Sequence, residues 1–183
     1  MKRLCGIASV LRPLDVCPHQ VYLDNVLQVA DVLRWILGQT GAASVRMTSF
    51  SISEEFLRRL HFIRREGLVR SLDIVLDFKA THKTLRLWNF ISSTVDRCYL
   101  ADNHSKILLA DSGVVKVAAV MSQNLTRGNR LESGYVTTDR CIFDTLDRRI
   151  SEIIQSRSVP FHEIYARTAG ADPGSRLDMH KAE

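Results

Sequence analysis

The chain has 183 residues, of which 45% are hydrophobic and 25% are charged, and its 25 Lys and Arg against 20 Asp and Glu give a formal net charge of +5. This composition is that of an ordinary globular domain large enough to bury a core, and it excludes disordered, collagen-like and disulfide-rich proteins. No apolar run approaches the roughly 20 residues of a membrane-spanning helix. The basic balance points only weakly to an anionic partner.

In the first half of the chain, helical and strand-like patterns alternate. Ser53 followed by two acids is typical of a helix start, because the hydroxyl caps the first turn and the acids face the positive end of the helix dipole. Gly67 is expected to end that helix. From hydrophobic spacing we predict helices over 21–37, 53–67 and 82–95, strands over 44–52, 72–78 and 97–100, and a first strand or N-terminal arm over 4–11.

The pattern changes in the second half, where short β-like runs follow one another with no room for helices between them. We predict strands over 106–110, 114–121 and 135–138 and a helix over 141–157. The expected fold is a single α/β domain over 1–165, with a mixed β-sheet flanked by helices on both faces, and a flexible tail over 166–183.

The four cysteines are scattered, since none forms a CxxC pair or stands at zinc-finger spacing to a histidine. We therefore expect free thiols and neither a metal site nor a cofactor. The apolar stretch Leu4–Leu11 is short and lacks a small-residue cleavage pattern, so it is not read as a signal peptide and the chain is predicted to be cytoplasmic. The cysteines are Cys5, Cys17, Cys98 and Cys141.

One histidine stands out because a lysine follows two positions later. In an extended strand, residues i and i+2 point to the same side, so His104 and Lys106 are predicted to face one pocket. Ser122 and Asn124 share a face by the same rule if their strand continues. The candidate site residues are His104, Lys106, Asp111, Ser122, Asn124 and Glu132.

These residue types suit chemistry at a phosphodiester. A neutral imidazole attacks phosphorus without the repulsion that an anionic nucleophile meets. Lys106, Ser122 and Asn124 offer positive charge and hydrogen bonds to the phosphoryl oxygens, and Glu132 is a candidate to fix the imidazole tautomer. The leaving alkoxide then needs a proton from a second histidine.

The pattern His104-x-Lys106-x4-Asp111 followed by Ser122-x-Asn124 resembles the HKD signature of the phospholipase D superfamily. The stretches SFSISEEFLRRLHFIRREG and NLT...N..E extend the resemblance over roughly residues 44–157. It implies His104 as nucleophile, Lys106 and Asn124 as phosphate ligands, Ser122 as a supporting donor and Glu132 as the residue that orients the histidine. In that family the motif Asp mostly serves structure, which makes Asp111 a weaker candidate.

Two positions depart from the family pattern. Met121 stands where a glycine usually precedes the serine and is expected to crowd the phosphate pocket, and the interval from Asp111 to Ser122 is longer than usual, as a longer hairpin would make it. Other interpretations stay open: Ser122 and Asn124 also suit a turn at a strand end, and Glu132 also suits a solvated surface.

The sequence contains a single H-x-K, whereas the mechanism needs two histidines. A second site from another chain, in a two-fold homodimer, is the simplest solution and is what single-motif members of the family use. We expect a metal-independent endonuclease acting on DNA or RNA; phospholipase D or cardiolipin hydrolase-type lipid hydrolysis and a non-catalytic nucleic-acid-binding protein are the alternatives. The arginines that would line a basic groove are Arg58, Arg59, Arg64, Arg65, Arg70, Arg86, Arg127 and Arg130, of which Arg127 and Arg130 follow the motif directly.

Overall fold

The computed structural model describes residues 4–169 of the chain, and within them eight strands form one mixed sheet. The strands are β1 His19–Asp24, β2 Ala43–Ser49, β3 Val69–Asp77, β4 Arg97–Ala101, β5 Ile107–Asp111, β6 Lys116–Met121, β7 Glu132–Thr137 and β8 Ser158–Pro160. Their order in the sheet is β1-β7-β6-β5-β2-β3-β4-β8. Strands β2, β3 and β4 are parallel, and every other neighbouring pair is antiparallel.

Helices cover both faces of the sheet. They are α1 Leu4–Ile7, α2 Val29–Thr40, α3 Glu54–Arg65, α4 Thr81–Leu85, α5 Trp88–Thr94, α6 Arg140–Arg157 and α7 Phe161–Ala169, with a 3₁₀ turn over Phe78–Ala80. The larger core lies on the face that carries α2, α3, α5 and α7. Helix α6 covers the other face, where Phe143 and Ile150 pack against Val75, Leu109 and Ala118. The predicted α/β fold, with helices on both faces of a mixed sheet, is confirmed.

Helix α3 begins as its sequence indicates. The Ser53 hydroxyl accepts a hydrogen bond from the backbone amide of Phe56 at 3.3 Å, and Phe56, Leu60 and Ile63 are buried on one side of the helix. Gly67 follows the end of the helix with a φ of 73°, a conformation that favours glycine.

The N-terminal elements differ from the sequence-based predictions. The helix predicted over 21–37 is wrong in its first part, because β1 occupies His19–Asp24 and α2 begins only at Val29. Tyr22 is buried while Val21 and Leu23 are exposed, which is the alternation of a strand paired with β7. Similarly, the stretch predicted as a strand or arm over 4–11 contains α1.

Two further differences lie elsewhere in the chain. The helix predicted over 82–95 is two short helices, α4 and α5, and neither β8 nor α7 was predicted. Of the predicted tail over 166–183, residues 166–169 belong to α7 and the rest lies outside the described residues.

Over residues 4–169, no helix combines the length and apolar character that crossing a membrane requires.

Candidate active site

The candidate residues gather at one end of the sheet. The parallel strands β2, β3 and β4 end there, at Ser49, Asp77 and Ala101. Because β5 and β7 begin at the same end and β6 finishes there, the connections 102–106 and 122–131 lie side by side. Clefts at the carboxyl ends of strands are a common place for ligands in open α/β sheets.

Buried polar groups hold the connection 102–106 in place. The Asp77 carboxylate accepts a hydrogen bond from the backbone amide of Asn103 at 2.9 Å. The Asn103 side chain donates to the carbonyl of Ser49 at 3.1 Å and accepts from the amide of Ser105 at 3.1 Å. The Ser105 hydroxyl is hydrogen-bonded to that of Thr48 at 2.7 Å. Satisfied buried networks of this kind are rigid, so His104 stands on a fixed support.

His104 and Lys106 lie together at the surface of this support. Lys106 Nζ donates to the carbonyl of His104 at 2.8 Å and lies 3.4 Å from His104 Nδ1. The Phe50 ring lies against the imidazole, with 5.3 Å between the centroids. The imidazole is exposed and the ammonium is half-buried. Partial burial lowers the pKa of Lys106, while the negative charge of Glu132 acts in the opposite direction.

The residues after β6 continue its alternation. Gln123 is buried, where its side chain accepts a hydrogen bond from the Tyr22 hydroxyl at 3.0 Å. Ser122 is exposed and Asn124 is half-buried on either side of it. The inward side chain of Gln123 thus anchors a segment that presents its two neighbours toward the site.

Asn124 has a free donor. Its Oδ1 accepts a hydrogen bond from the Ser49 hydroxyl at 3.3 Å. Within residues 4–169, its Nδ2 has no hydrogen-bond partner. An amide whose acceptor is engaged and whose donors are free is suited to bind an anionic oxygen.

Glu132 lies beside Ser122. The Ser122 hydroxyl donates to the Glu132 carboxylate and accepts from the backbone amide of Ser133 at 3.0 Å. No hydrogen bond joins Glu132 to His104 in the described part of the chain. Glu132 therefore contacts Ser122 and interacts electrostatically with Lys106, but it does not contact the imidazole of His104.

Asp111 is not part of this cluster. It ends β5 five residues from Lys106, which corresponds to about 16 Å along a strand. Its carboxylate accepts from the amide of Gly113 at 2.7 Å and lies 3.9 Å from Lys116 Nζ. Asp111 thus closes the β5–β6 hairpin, whose length accounts for the wide interval before Ser122.

The other residues singled out from the sequence have different surroundings. Met121 is buried in the larger core, and its backbone amide donates to the carbonyl of Lys106 at 2.9 Å. The expectation that Met121 crowds the phosphate pocket stays a prediction. Arg130 is exposed, and the Arg127 guanidinium lies 3.5 Å from the Glu55 carboxylate. Over residues 4–169, no group of three or more His, Cys, Asp or Glu side chains is placed to hold a metal ion.

The residues that support the site are absent from the sequence-based predictions. Asp77, Asn103 and Gln123 are polar yet buried. Each stands at or just after the end of a mostly apolar strand. A polar side chain in that position is the signal that would have found them, because a buried polar group needs fixed partners.

The fold is similar to that of several solved structures. No protein-family model and no curated protein matches the sequence. NucT from Helicobacter pylori aligns with a TM-score of 0.57 and 15% identity, over 76% of this chain and 96% of its own. Nuc from Salmonella typhimurium, a phospholipase D family member, aligns with a TM-score of 0.57 and 16% identity, over the same shares of 76% and 96%.

A larger protein also shares the fold. Phosphatidylserine synthase from Haemophilus influenzae aligns with a TM-score of 0.55 and 11% identity, over 79% of this chain and 40% of its own. At such identities the alignments establish the architecture, and the sheet order and helical layers described above are consistent with them. The chain has the phospholipase D-like fold.

Proposed function

We propose that the chain is a metal-independent phosphodiesterase, and specifically an endonuclease that cleaves DNA or RNA through a phosphohistidine intermediate at His104. The observation that carries this proposal is the placement of Lys106 Nζ 3.4 Å from His104 Nδ1, on an exposed end of a phospholipase D-like fold. A cation beside an exposed imidazole is suited to draw a phosphate to the nucleophile.

In the first step, an imidazole nitrogen of His104 bonds to phosphorus as the P–O bond to the leaving group breaks. The departing oxygen takes a proton from a second imidazolium. In the second step that imidazole deprotonates water, which attacks phosphorus and breaks the N–P bond. Lys106 and Asn124 hold the phosphoryl oxygens, and Ser122 supports them.

The remaining candidates have lesser roles in the proposal. When a phosphate is bound, the Ser122 hydroxyl donates to the phosphate instead of to Glu132, and the Glu132 carboxylate then orients the imidazole. Asp111 acts only by closing its hairpin. Arg127 and Arg130 contact the substrate on either side of the scissile phosphate.

The second imidazole is proposed to be His104 of another copy. Among the histidines of residues 4–169, His19 lies at the opposite end of the sheet, and His61 packs against Phe62 and Phe90. His82 has no lysine two positions later. A two-fold axis through the site would bring two copies of His104 together.

An apolar surface beside the site supports the homodimer. Val21 is 73% exposed and Val120 is 42% exposed, and both lie opposite Tyr135 in the sheet. Leu23, 66% exposed, extends the same surface on β1. This surface is continuous with Ser122, two residues beyond Val120 on the same face. A second copy seated there would cover it and complete the site.

The activity is tested with the purified chain in excess EDTA, incubated with single-stranded DNA, double-stranded DNA, RNA and phospholipid in parallel. The proposal predicts nucleic-acid cleavage that EDTA leaves intact, that His104→Ala abolishes and that the control His162→Ala retains. Phospholipid turnover alone would favour the lipid alternative. The similar fold of phosphatidylserine synthase is the observation that favours this alternative. Salt-dependent DNA binding without product would favour a binding protein.

The shared site is tested by giving wild-type and His104→Ala copies different affinity tags and isolating the mixed dimer. If each reaction needs both histidines, the mixed dimer is inactive; independent sites would leave about half of the activity. Val21→Asp with Val120→Asp is expected to dissociate the dimer. Val114→Asp is the control, because Val114 is 78% exposed on the hairpin at the opposite end.

A further inference from the structure

A basic segment follows β3 at the end of the sheet that carries His104. It comprises Phe78–Arg86, nine residues without an acid. Its exposed side chains are Phe78, Lys79, His82, Lys83 and Arg86, which we call the basic strip.

The strip is tied to the candidate site by one carboxylate. Asp77 accepts a hydrogen bond from the backbone amide of Lys79 at 2.7 Å through Oδ1 and one from Asn103 at 2.9 Å through Oδ2. Asp77 is buried and pairs with Ala101 at the end of β4. The strip therefore begins at the same end of the sheet as His104 and has a fixed position relative to it.

Local packing turns the charged side chains outward. Ala80 and Thr84 are buried, and the Thr84 hydroxyl donates to the carbonyl of Ala80 at 2.8 Å. Residues 79, 82, 83 and 86 follow the helical spacing of one face, opposite those two. That row is about 10 Å long, enough for consecutive phosphates of one strand.

In the described part of the chain the cations of the strip are unpaired, unlike most of those of α3. Over residues 4–169, Lys79, Lys83 and Arg86 take part in no ion pair. Three of the four arginines of α3 are paired with acids: Arg58 with Glu54, Arg59 with Asp31 and Arg64 with Asp96. Of the arginines predicted to line a basic groove, Arg86 belongs to the strip, whereas Arg65 and Arg70 lie at the end of the sheet opposite His104. The strip is therefore the stronger candidate for a phosphate backbone.

We propose that the basic strip binds a single nucleic-acid strand next to the scissile phosphate, with Lys79, Lys83 and Arg86 on the backbone and Phe78 stacked on a base. This inference rests on the proposed function and names its substrate as single-stranded. Phe78 is 39% exposed, and an exposed ring beside a row of cations is the combination that single-strand binding uses. A membrane surface would need several exposed apolar side chains, whereas Leu85 and Leu87 are half-buried.

Binding is measured with the full chain carrying His104→Ala, which blocks turnover. The probes are a fluorescent oligothymidylate of about 12 nucleotides, an oligouridylate and a duplex of equal length, and phosphatidylcholine vesicles containing phosphatidylserine. The test variant combines Lys79→Glu, Lys83→Glu and Arg86→Glu. The matched control combines Arg65→Glu, Arg70→Glu and Arg140→Glu, which reverses as much charge at the opposite end of the sheet. Circular dichroism and the unfolding midpoint verify the fold of each.

The test variant is expected to bind single strands at least about tenfold more weakly. The slope of log affinity against log salt should also become shallower by about 2, since each of the three phosphate contacts contributes about 0.7. Phe78→Ala should weaken binding about fivefold or more without changing that slope. The matched control should bind as the parent does.

Equal weakening by the two charge variants, or tighter binding of the duplex, would overturn the inference. So would loss of vesicle binding with unchanged oligonucleotide binding. The two proposals fail separately. If no phosphodiester is cleaved but strand binding depends on the strip, the proposed function fails and the strip stands. If cleavage occurs and the same three substitutions, made in a chain that keeps His104, leave single-strand cleavage as in the wild type, the strip fails alone.

Discussion

The buried carboxylate of Asp77 accepts a hydrogen bond from the backbone amide of Asn103 at 2.9 Å, immediately before His104. Through its other oxygen the same carboxylate holds Lys79 at 2.7 Å. One side chain at the end of β3 therefore fixes both the connection that carries His104 and the segment proposed to bind the substrate.

Asp77→Ala is expected to cost about 2–3 kcal/mol of stability, because two amides lose a charged acceptor. It should lower kcat by about tenfold or more, since a displaced nucleophile reacts slowly even when substrate is bound. Asp77→Asn, which keeps one acceptor, should recover part of both losses. Denaturant unfolding and steady-state kinetics measure the two effects. A stable Asp77→Ala chain with wild-type kcat would show that Asp77 does not position His104.

The pH dependence of turnover reports on Lys106. Partial burial lowers the pKa of its ammonium, and the charge of Glu132 counteracts this. As the pH rises, the phosphate-binding ammonium should therefore lose its proton at a lower pH than an ordinary lysine, whose pKa is about 10.4. Affinity for substrate is expected to fall with rising pH on that alkaline limb. Glu132→Gln should move the limb to lower pH, because it removes the charge that raises the pKa.

Lys106→Arg is the comparison variant, since a guanidinium stays protonated over this range. The measurement is kcat/KM from about pH 7 to about pH 11. An alkaline limb that is unchanged in both variants would contradict the assignment of Lys106 to the phosphate.

Gly134 is required by the ring of Tyr22, which lies across it in the β1–β7 pair. A Cβ at Gly134 would stand 2.3 Å from Tyr22 Cε1 and 2.4 Å from Cζ. Gly134→Ala is therefore expected to destabilise the chain by about 1–3 kcal/mol. Gly128→Ala is the control, because a Cβ there meets no atom within 4 Å. Equal unfolding free energies for the two variants would contradict the packing of Tyr22 over Gly134.

Asp96 makes stability depend on pH in the acid range. Burial opposes the change, but hydrogen bonds from Arg64 and from the amide of Leu72 outweigh it and lower the pKa of Asp96. The folded pKa lies below the unfolded one, so the ionised carboxylate stabilises the fold above about pH 4, and this is lost as the pH falls through the folded pKa.

Asp96→Asn should therefore cost about 0.5–1 kcal/mol at neutral pH, a modest figure because the carboxylate is 44% exposed. The difference from the wild type should shrink as the pH is lowered, in urea unfolding at a series of pH values. Glu152→Gln, at an exposed pair on α6, should show little difference at any pH. A pH-independent effect of Asp96→Asn would contradict the ionic contribution.

Local signals were enough to predict several parts of the molecule. The cap at Ser53 specifies the start of α3 because both groups of the hydrogen bond lie within one turn. His104 and Lys106 are likewise joined by a local contact, although they lie in the connection before β5 and not in the strand from which their common orientation was predicted. Strand β1 was mistaken for a helix because Tyr22 and Val26 fit helical spacing, whereas the strand depends on β7, more than a hundred residues away.

The support of the site was equally hidden. Asp77 and Asn103 meet only because β3 and β4 are neighbours in the sheet, a relation that no local pattern states. Likewise, Glu132 contacts Ser122 because β6 and β7 pair there. The motif had instead implied a contact between Glu132 and His104. Tertiary pairing, and not local propensity, fixes these contacts.

The most direct test of the central claim is the intact-protein mass of the chain when turnover of an oligonucleotide in EDTA is stopped with base. We expect a covalent adduct in which His104 is joined through phosphorus to one fragment of the oligonucleotide; it should be stable in base, lost in acid and absent from His104→Ala, which also turns over no substrate. Cleavage that proceeds without this adduct and persists in His104→Ala would contradict a phosphohistidine intermediate at His104.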